Sequence, residues 1–209
     1  MTNQAEFWTK TAKSYRRSPI SDLNAYHQTL ERVRSYLPAD ARVLELGCGT
    51  GGTAVELAQS VEKYVASDYS AGMIDEALVR EIPDNVSFEV ADVFDSTFKS
   101  GSFDAVLAFN LFHLVEKRAE QFARVHELLV PGGMFISKSV CLKEPGLGLK
   151  FGILKRLIPL MQRLGKAPAV AYLSMLQLED EISAAGFRIV ETGNYPAKPP
   201  NHFVVAKRV

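Results

Sequence analysis

The run VLELGCGTGG, Val43–Gly52, constrains this chain more than any other feature. Gly47, Gly49 and Gly52 satisfy G-x-G-x-x-G. The residues leading into them, RVLELG (Arg42–Gly47), are apolar, β-branched at the start and stopped by glycine, which reads as a buried strand. Residues 51–60 then read as a helix. A glycine turn between a strand and a helix lets backbone approach a ligand closely. That pattern fits NAD, FAD or S-adenosylmethionine equally; a purely structural tight turn is the plainer alternative.

The chain downstream keeps an α/β rhythm. Strands are expected at Tyr64–Asp68, Val86–Asp92, Phe103–Phe109 and Met134–Val140. A helix capped by Ser70 fits Ala71–Arg80, and another fits Lys117–Leu129, ending at Pro131-Gly132-Gly133. Strand–helix alternation predicts a parallel sheet with helices on both faces. Phe187–Tyr195 and His202–Val209 read as two more strands. Their short connection, Pro196–Pro200, permits only an antiparallel hairpin, since a parallel return needs a dozen residues or more. The expected fold is therefore a Rossmann-like α/β domain: seven strands, mostly parallel, the last antiparallel. Within the single domain 1–209, residues 1–41 read as helical cover, 42–140 as the cofactor-binding core, 141–186 as a helical lid insertion and 187–209 as the hairpin.

Three carboxylates bear on which cofactor the loop serves. Glu45 lies in the first strand, Asp68 ends the second and Asp92 ends the third, so all three should gather at the carboxyl edge, where open α/β sheets bind ligands. Asp68 suits ribose hydroxyls. Glu45 and Asp92 would repel a pyrophosphate yet tolerate a sulfonium and an ammonium. Asp95 reads instead as a loop cap.

Composition narrows the partners. With 24 basic and 24 acidic residues the formal net charge is zero, so no basic excess drives binding to nucleic acid. Two cysteines, Cys48 and Cys141, are too few for a disulfide framework or a four-ligand zinc site and suit a reducing cytoplasm. The start, MTNQAEFWTK, lacks an apolar core for a secretory signal, and no apolar run approaches the ~20 residues that span a bilayer. A cytoplasmic protein without stable membrane insertion, acting on a small molecule, is the expectation. No metal site is expected.

These segments together resemble the class I S-adenosylmethionine-dependent methyltransferases, and particularly the small-molecule branch that includes the ubiquinone and menaquinone biosynthesis methyltransferases. VLELGCGTG (Val43–Gly51) resembles the family's cofactor loop. SDYSAGMIDEA (Ser67–Ala77) resembles its second motif and VADVFD (Val90–Asp95) its third. FDAVLAFNLFHLV (Phe103–Val115) and LVPGGMF (Leu129–Phe135) resemble the fourth and fifth. The resemblance implies S-adenosylmethionine as cofactor, with Asp68 on the ribose, Met73 packed on the adenine, Asp92 on the adenine amine and the Val93 backbone beside the ring. Glu45, Gly47, Cys48, Gly49, Tyr69, Asn110 and Leu111 complete the expected cofactor set.

A sulfonium is already a strong electrophile, so such a protein mainly aligns a nucleophile and excludes water. His113, four residues past the fourth strand, is the candidate base, against the plainer reading of a hydrogen-bonded histidine opening the next helix. Tyr15 is the candidate to touch or close over the cofactor, against simple helix packing. After the fourth strand stands Asn110-Leu111-Phe112 rather than Asn/Asp-Pro-Pro-aromatic, which argues against methylation of nucleic-acid amines.

Residues 147–166 form the remaining informative stretch. At helical spacing Leu147, Phe151, Leu154, Leu157, Ile158, Met161 and Leu164 share a face, with Lys155, Arg156, Arg163 and Lys166 opposite. Pro159 should kink or split this helix. A cover helix with its apolar face inward, a lid for a lipophilic acceptor and a membrane-surface anchor are all compatible with it. Residues 1–30 and Leu147–Tyr172 are expected to form a mobile roof over the methyl group. Two other functions share the glycine loop: an NAD(P)-binding oxidoreductase and a catalytically silent S-adenosylmethionine-binding protein.

Overall fold

β4 (Phe103–Phe109) is the central strand of seven, buried on both faces as its unbroken apolar run requires. In the computed structural model, backbone is described for residues 2–115, 117–144, 149–197 and 200–209, and side chains from residue 4 onward except 116, 145–155 and 198–199. On one side of β4 lie β1 (Arg42–Leu46), β2 (Lys63–Asp68) and β3 (Val86–Val90), all parallel to it. On the other lie β5 (Leu129–Val140), β7 (Asn201–Arg208) and β6 (Phe187–Asn194), giving the order β3-β2-β1-β4-β5-β7-β6. β7 runs antiparallel to both its neighbours. This is the seven-stranded, mostly parallel sheet with an antiparallel last strand that the sequence predicts.

The pleat sends alternate residues to opposite faces, and each face has its own core. Leu44, Val106 and Phe135 pack with α5 (Arg118–Leu128) and α7 (Met175–Ala184). Val43, Leu107 and Ile136 pack with α2 (Leu23–Arg34) and α3 (Gly52–Ala58). Rings stack on the first face, Phe112 against Phe122 with centroids 4.5 Å apart. Fully burying each such side chain contributes roughly 1.5–3 kcal/mol.

Capping follows the residue chemistry. Ser70 opens α4 (Ala71–Ala77), its Oγ accepting the Met73 amide; Asp22 and Ser174 do the same for α2 and α7. α1 (Thr2–Arg17) lies across α4: Thr9 and Ser70 hydroxyls meet at 2.9 Å, and Arg16 pairs with Glu76.

Three expectations need correction. Pro131-Gly132-Gly133 lies inside β5 rather than ending a helix ahead of it. Leu129 faces Phe103 and Met134 faces Ala105, so the register shifts across the intervening residues, and the proline falls among positions without a ladder partner. Pro159 does not split its helix: α6 (Leu149–Arg163) runs through it. The expected inward apolar face also fails in part, since Leu157 and Leu164 are exposed. Leu147 and the glycines 146 and 148 lie outside the described residues.

Candidate functional site

The turn from β1 to α3 takes three left-handed residues, Gly47, Gly49 and Gly51, with φ of 66°, 56° and 74°. Two are also crowded. A Cβ on Gly47 would lie 2.9 Å from Leu111, and one on Gly51 would strike the Phe88 ring at 2.6 Å. Gly52, the third glycine of the pattern, is already helical, and a Cβ there would meet only Arg80 at 3.5 Å. The glycine that close packing demands is therefore Gly51, one residue earlier than the pattern suggests.

Asp68, at the end of β2, braces this loop. One carboxylate oxygen accepts the Gly49 amide at 3.0 Å and the other accepts the Ser70 amide at 2.9 Å. It is buried, which raises its pKa, and the two amide bonds oppose that rise. Tyr15 of α1 lies over the same turn, its ring 3.8 Å from the position of a Gly49 Cβ. Half its surface stays open (51 %), while burial of the hydroxyl end and the Asp68 and Glu45 charges hold its phenol above the usual range.

Glu45 sits beneath the loop, 2 % exposed, accepting the Tyr64 hydroxyl at 2.8 Å. Burial raises its carboxyl to about 7; the tyrosine bond opposes this and the Asp68 charge adds to it. Cys48 is buried beside both carboxylates, and burial above all keeps its thiol protonated. Met73 is buried in α4, whereas Tyr69 is exposed, with burial of its hydroxyl end lifting the phenol to about 12.

The structure thus brings Gly47, Cys48, Gly49, Asp68, Glu45, Tyr15 and Leu111 together at the carboxyl edge of β1 and β2. Asp92 and Val93 stand one strand over, just past β3. The Asp92 side chain is exposed and accepts its own chain's Phe94 amide at 2.7 Å, an Asx turn, while Val93 is buried. Asp95 caps Thr97 in the same way. A cleft of about 310 Å³ between Arg42, Lys63, Glu89 and Phe98 opens at the opposite edge, among the first residues of β1, β2 and β4.

Past β4 the chain turns sharply. Asn110 is left-handed, with φ of 56°; its amide donates to the Lys138 carbonyl at 2.7 Å and its side-chain oxygen accepts the Asn201 amide. His113 follows in a short 3-10 turn, Phe112–Leu114. Burial lowers its pKa to about 4, and among the described residues its buried Nδ1 has no hydrogen-bond partner. The His113 carbonyl accepts the Ala171 amide at 2.7 Å, and the Lys143 amide donates to the Leu173 carbonyl at 3.0 Å. The segment carrying α6 thus leaves and re-enters the fold beside the end of β5.

Sequence reasoning overlooked one residue here. Lys138, near the end of β5, is 8 % exposed, and burial lowers its ammonium to about 8. A lone charge inside an otherwise uncharged strand, MFISKSV, was the available signal. His202 is structural: its ring joins Glu179 of α7 to Asn194 of β6. No three His, Cys, Asp or Glu side chains cluster as metal ligands, and no helix is long and apolar enough to cross a membrane, among the described residues.

Residues 43–133 match a family described as a methyltransferase domain. A demethylmenaquinone methyltransferase from Clavibacter sepedonicus is 34 % identical over 178 residues, covering 76 % of this chain and 70 % of that protein. A highly reducing polyketide synthase from Gibberella moniliformis is 30 % identical over 177 residues; the match covers 77 % of this chain, which spans only 7 % of the synthase's length. Among solved structures, an S-adenosylmethionine-dependent methyltransferase from Mesorhizobium loti superposes with a TM-score of 0.70 at 18 % identity, covering 88 % of this chain and 98 % of that one.

Proposed function

The chain belongs to the class I S-adenosylmethionine-dependent methyltransferases, and on that premise we propose that it methylates a small, lipophilic acceptor held over the carboxyl ends of β4 and β5. The observation that carries this reading is the Asp68 carboxylate clasping the Gly49 amide under the Tyr15 ring. The loop fits the cofactor: a Cβ on Gly49 would meet nothing nearer than Tyr15 at 3.8 Å, so the backbone is open to a close-lying ligand.

In this proposal Asp68 holds the ribose hydroxyls, Met73 and Val93 flank the adenine, and Asp92 takes its amine. Glu45, Cys48, Tyr69, Asn110 and Leu111 shape the rest of the pocket. Buried negative charge at Asp68, shared in part by a Glu45 carboxyl about half ionised near pH 7, suits a cationic ligand and disfavours a pyrophosphate. Bound S-adenosylmethionine supplies the electrophilic methyl group. Residues 1–30 and the segment around α6 then serve as the roof that excludes water. His113 is too weakly basic, at about 4, to strip a proton efficiently near neutral pH. In this proposal the neutral, half-buried His113 ring packs beside the acceptor rather than taking its proton. The relative named for demethylmenaquinone supports a lipophilic acceptor.

Calorimetry with S-adenosylhomocysteine and with NAD tests the cofactor, and heat with NAD alone would reverse the reading. Turnover of S-adenosylmethionine with a panel of lipophilic phenols and quinols tests the acceptor. Tight cofactor binding without methyl transfer to any member would favour a silent binding protein.

A further inference from the structure

The outer face of α6 is apolar where it should be polar. Leu157, Leu160 and Leu164 expose 47 %, 56 % and 61 % of their surface. At the helical angle per residue they fall within about 60° of one another, so they form a single row. Ile158 and Gln162 face the other way and Met161 flanks the row; all three are half-buried, so the helix presents one side to the protein and the leucine row to solvent. A soluble surface helix has the reverse arrangement.

Charge supplies the identity of what the row meets. No Asp or Glu occurs between Glu144 and Glu179, while the same stretch carries Lys150, Lys155, Arg156, Arg163 and Lys166. The chain as a whole is neutral, so this cationic bias is local to the helix and its flanks. Arg156 and Arg163 are exposed and lie beside the leucine row at helical spacing. Long basic side chains in that position reach outward past apolar neighbours to anionic groups at the same depth. An apolar row edged by cations and free of anions is the pattern of a helix lying in the plane of an anionic bilayer surface.

We propose that α6 docks the protein on anionic phospholipid, with Leu157, Leu160 and Leu164 entering the headgroup–acyl boundary and Arg156 and Arg163 pairing with lipid phosphates. At 15 residues α6 lies on such a surface and does not span it. The proposal stands independently of which acceptor is methylated.

The test is co-sedimentation of the intact chain with vesicles of phosphatidylglycerol and phosphatidylcholine in equal parts, and with phosphatidylcholine alone. Binding is expected to the first, about tenfold or more above the second, and to weaken as salt rises. It should be lost in the triple variant L157Q/L160Q/L164Q and in R156E/R163E. A separate readout needs only one change: the fluorescence of a Leu160→Trp variant should shift to the blue on the anionic vesicles. Wild-type protein left in the supernatant, a triple variant that still sediments, or a Leu160→Trp spectrum unmoved by lipid overturns the proposal. So does light scattering that shows a dimer dissolved by the leucine substitutions in a chain that ignores vesicles, since the row would then serve a second copy.

Discussion

The Lys138 ammonium on β5 donates to the Thr29 hydroxyl on α2 at 3.0 Å, and the Thr29 hydroxyl donates in turn to the Ala25 carbonyl at 2.7 Å. No carboxylate pairs with this buried lysine among the described residues; the Asp22 charge acts only from a distance. A buried cation without a counter-charge opposes folding.

Lys138→Met should therefore stabilise the protein by about 1–3 kcal/mol near pH 7, measured by thermal or denaturant unfolding. Folding lowers this lysine from 10.5 to about 8, so the unfolded chain binds more protons between those values. Wild-type stability at this group rises with pH across that window. The advantage of the methionine variant should then shrink as pH climbs from 8 toward 10.5. A variant less stable than wild type at pH 7 would mean that the ammonium is paired after all.

Asp68→Ala removes the Gly49 amide bond that seats the glycine loop and the Ser70 amide bond beside it, together with the proposed ribose partner. Affinity for S-adenosylhomocysteine should fall by about 1.5–3 kcal/mol, roughly ten- to a hundredfold. Asp68→Asn keeps an acceptor for only part of this set and should fall between the two. Calorimetry that finds wild-type affinity in the alanine variant would remove Asp68 from the site.

Gly51→Ala and Gly52→Ala form a matched pair. Position 51 combines a left-handed backbone with a 2.6 Å approach to Phe88, whereas position 52 is helical with an ordinary neighbour. The first change should cost about 2–4 kcal/mol and the second less than about 0.5 kcal/mol in melting experiments. Equal costs would contradict the packing described for the loop.

His113 falls from 6.5 to about 4 on folding because it is buried. The unfolded chain then binds more protons between these values, so stability at this group is complete above pH 6.5 and is lost as pH falls toward 4. His113→Gln should flatten the acid limb of the stability profile. The pH–rate profile of the wild type should show no limb from His113 between about pH 6 and 8. A rate limb near the ordinary histidine value that vanishes in the glutamine variant would show a far more basic imidazole.

The sheet and its loop were legible because their signals are local. Arg42–Leu46 and Phe103–Phe109 declare a strand by an apolar run, and Gly47 declares where the first of them stops. Asp68 was identifiable by position alone, at a strand end. What stayed hidden depends on partners distant in sequence. That Gly51 rather than Gly52 is the crowded residue is decided by Phe88. The burial of Lys138 is decided by Thr29, 109 residues earlier. The outward leucines of α6 read as inward ones because periodicity reports that a stripe exists and not which way it faces.

The excursion that carries α6 leaves and rejoins the fold where Lys143 meets Leu173, a single backbone hydrogen bond apart. Its length is thus uncoupled from the sheet. A chain that exits and returns through one point can be lengthened, shortened or exchanged at a loop-closure cost that grows only logarithmically. The cofactor loop, built from β1, β2 and α1, shares no covalent register with that stretch. Inheritance can therefore resize or replace the α6 excursion while leaving the glycine loop unaltered.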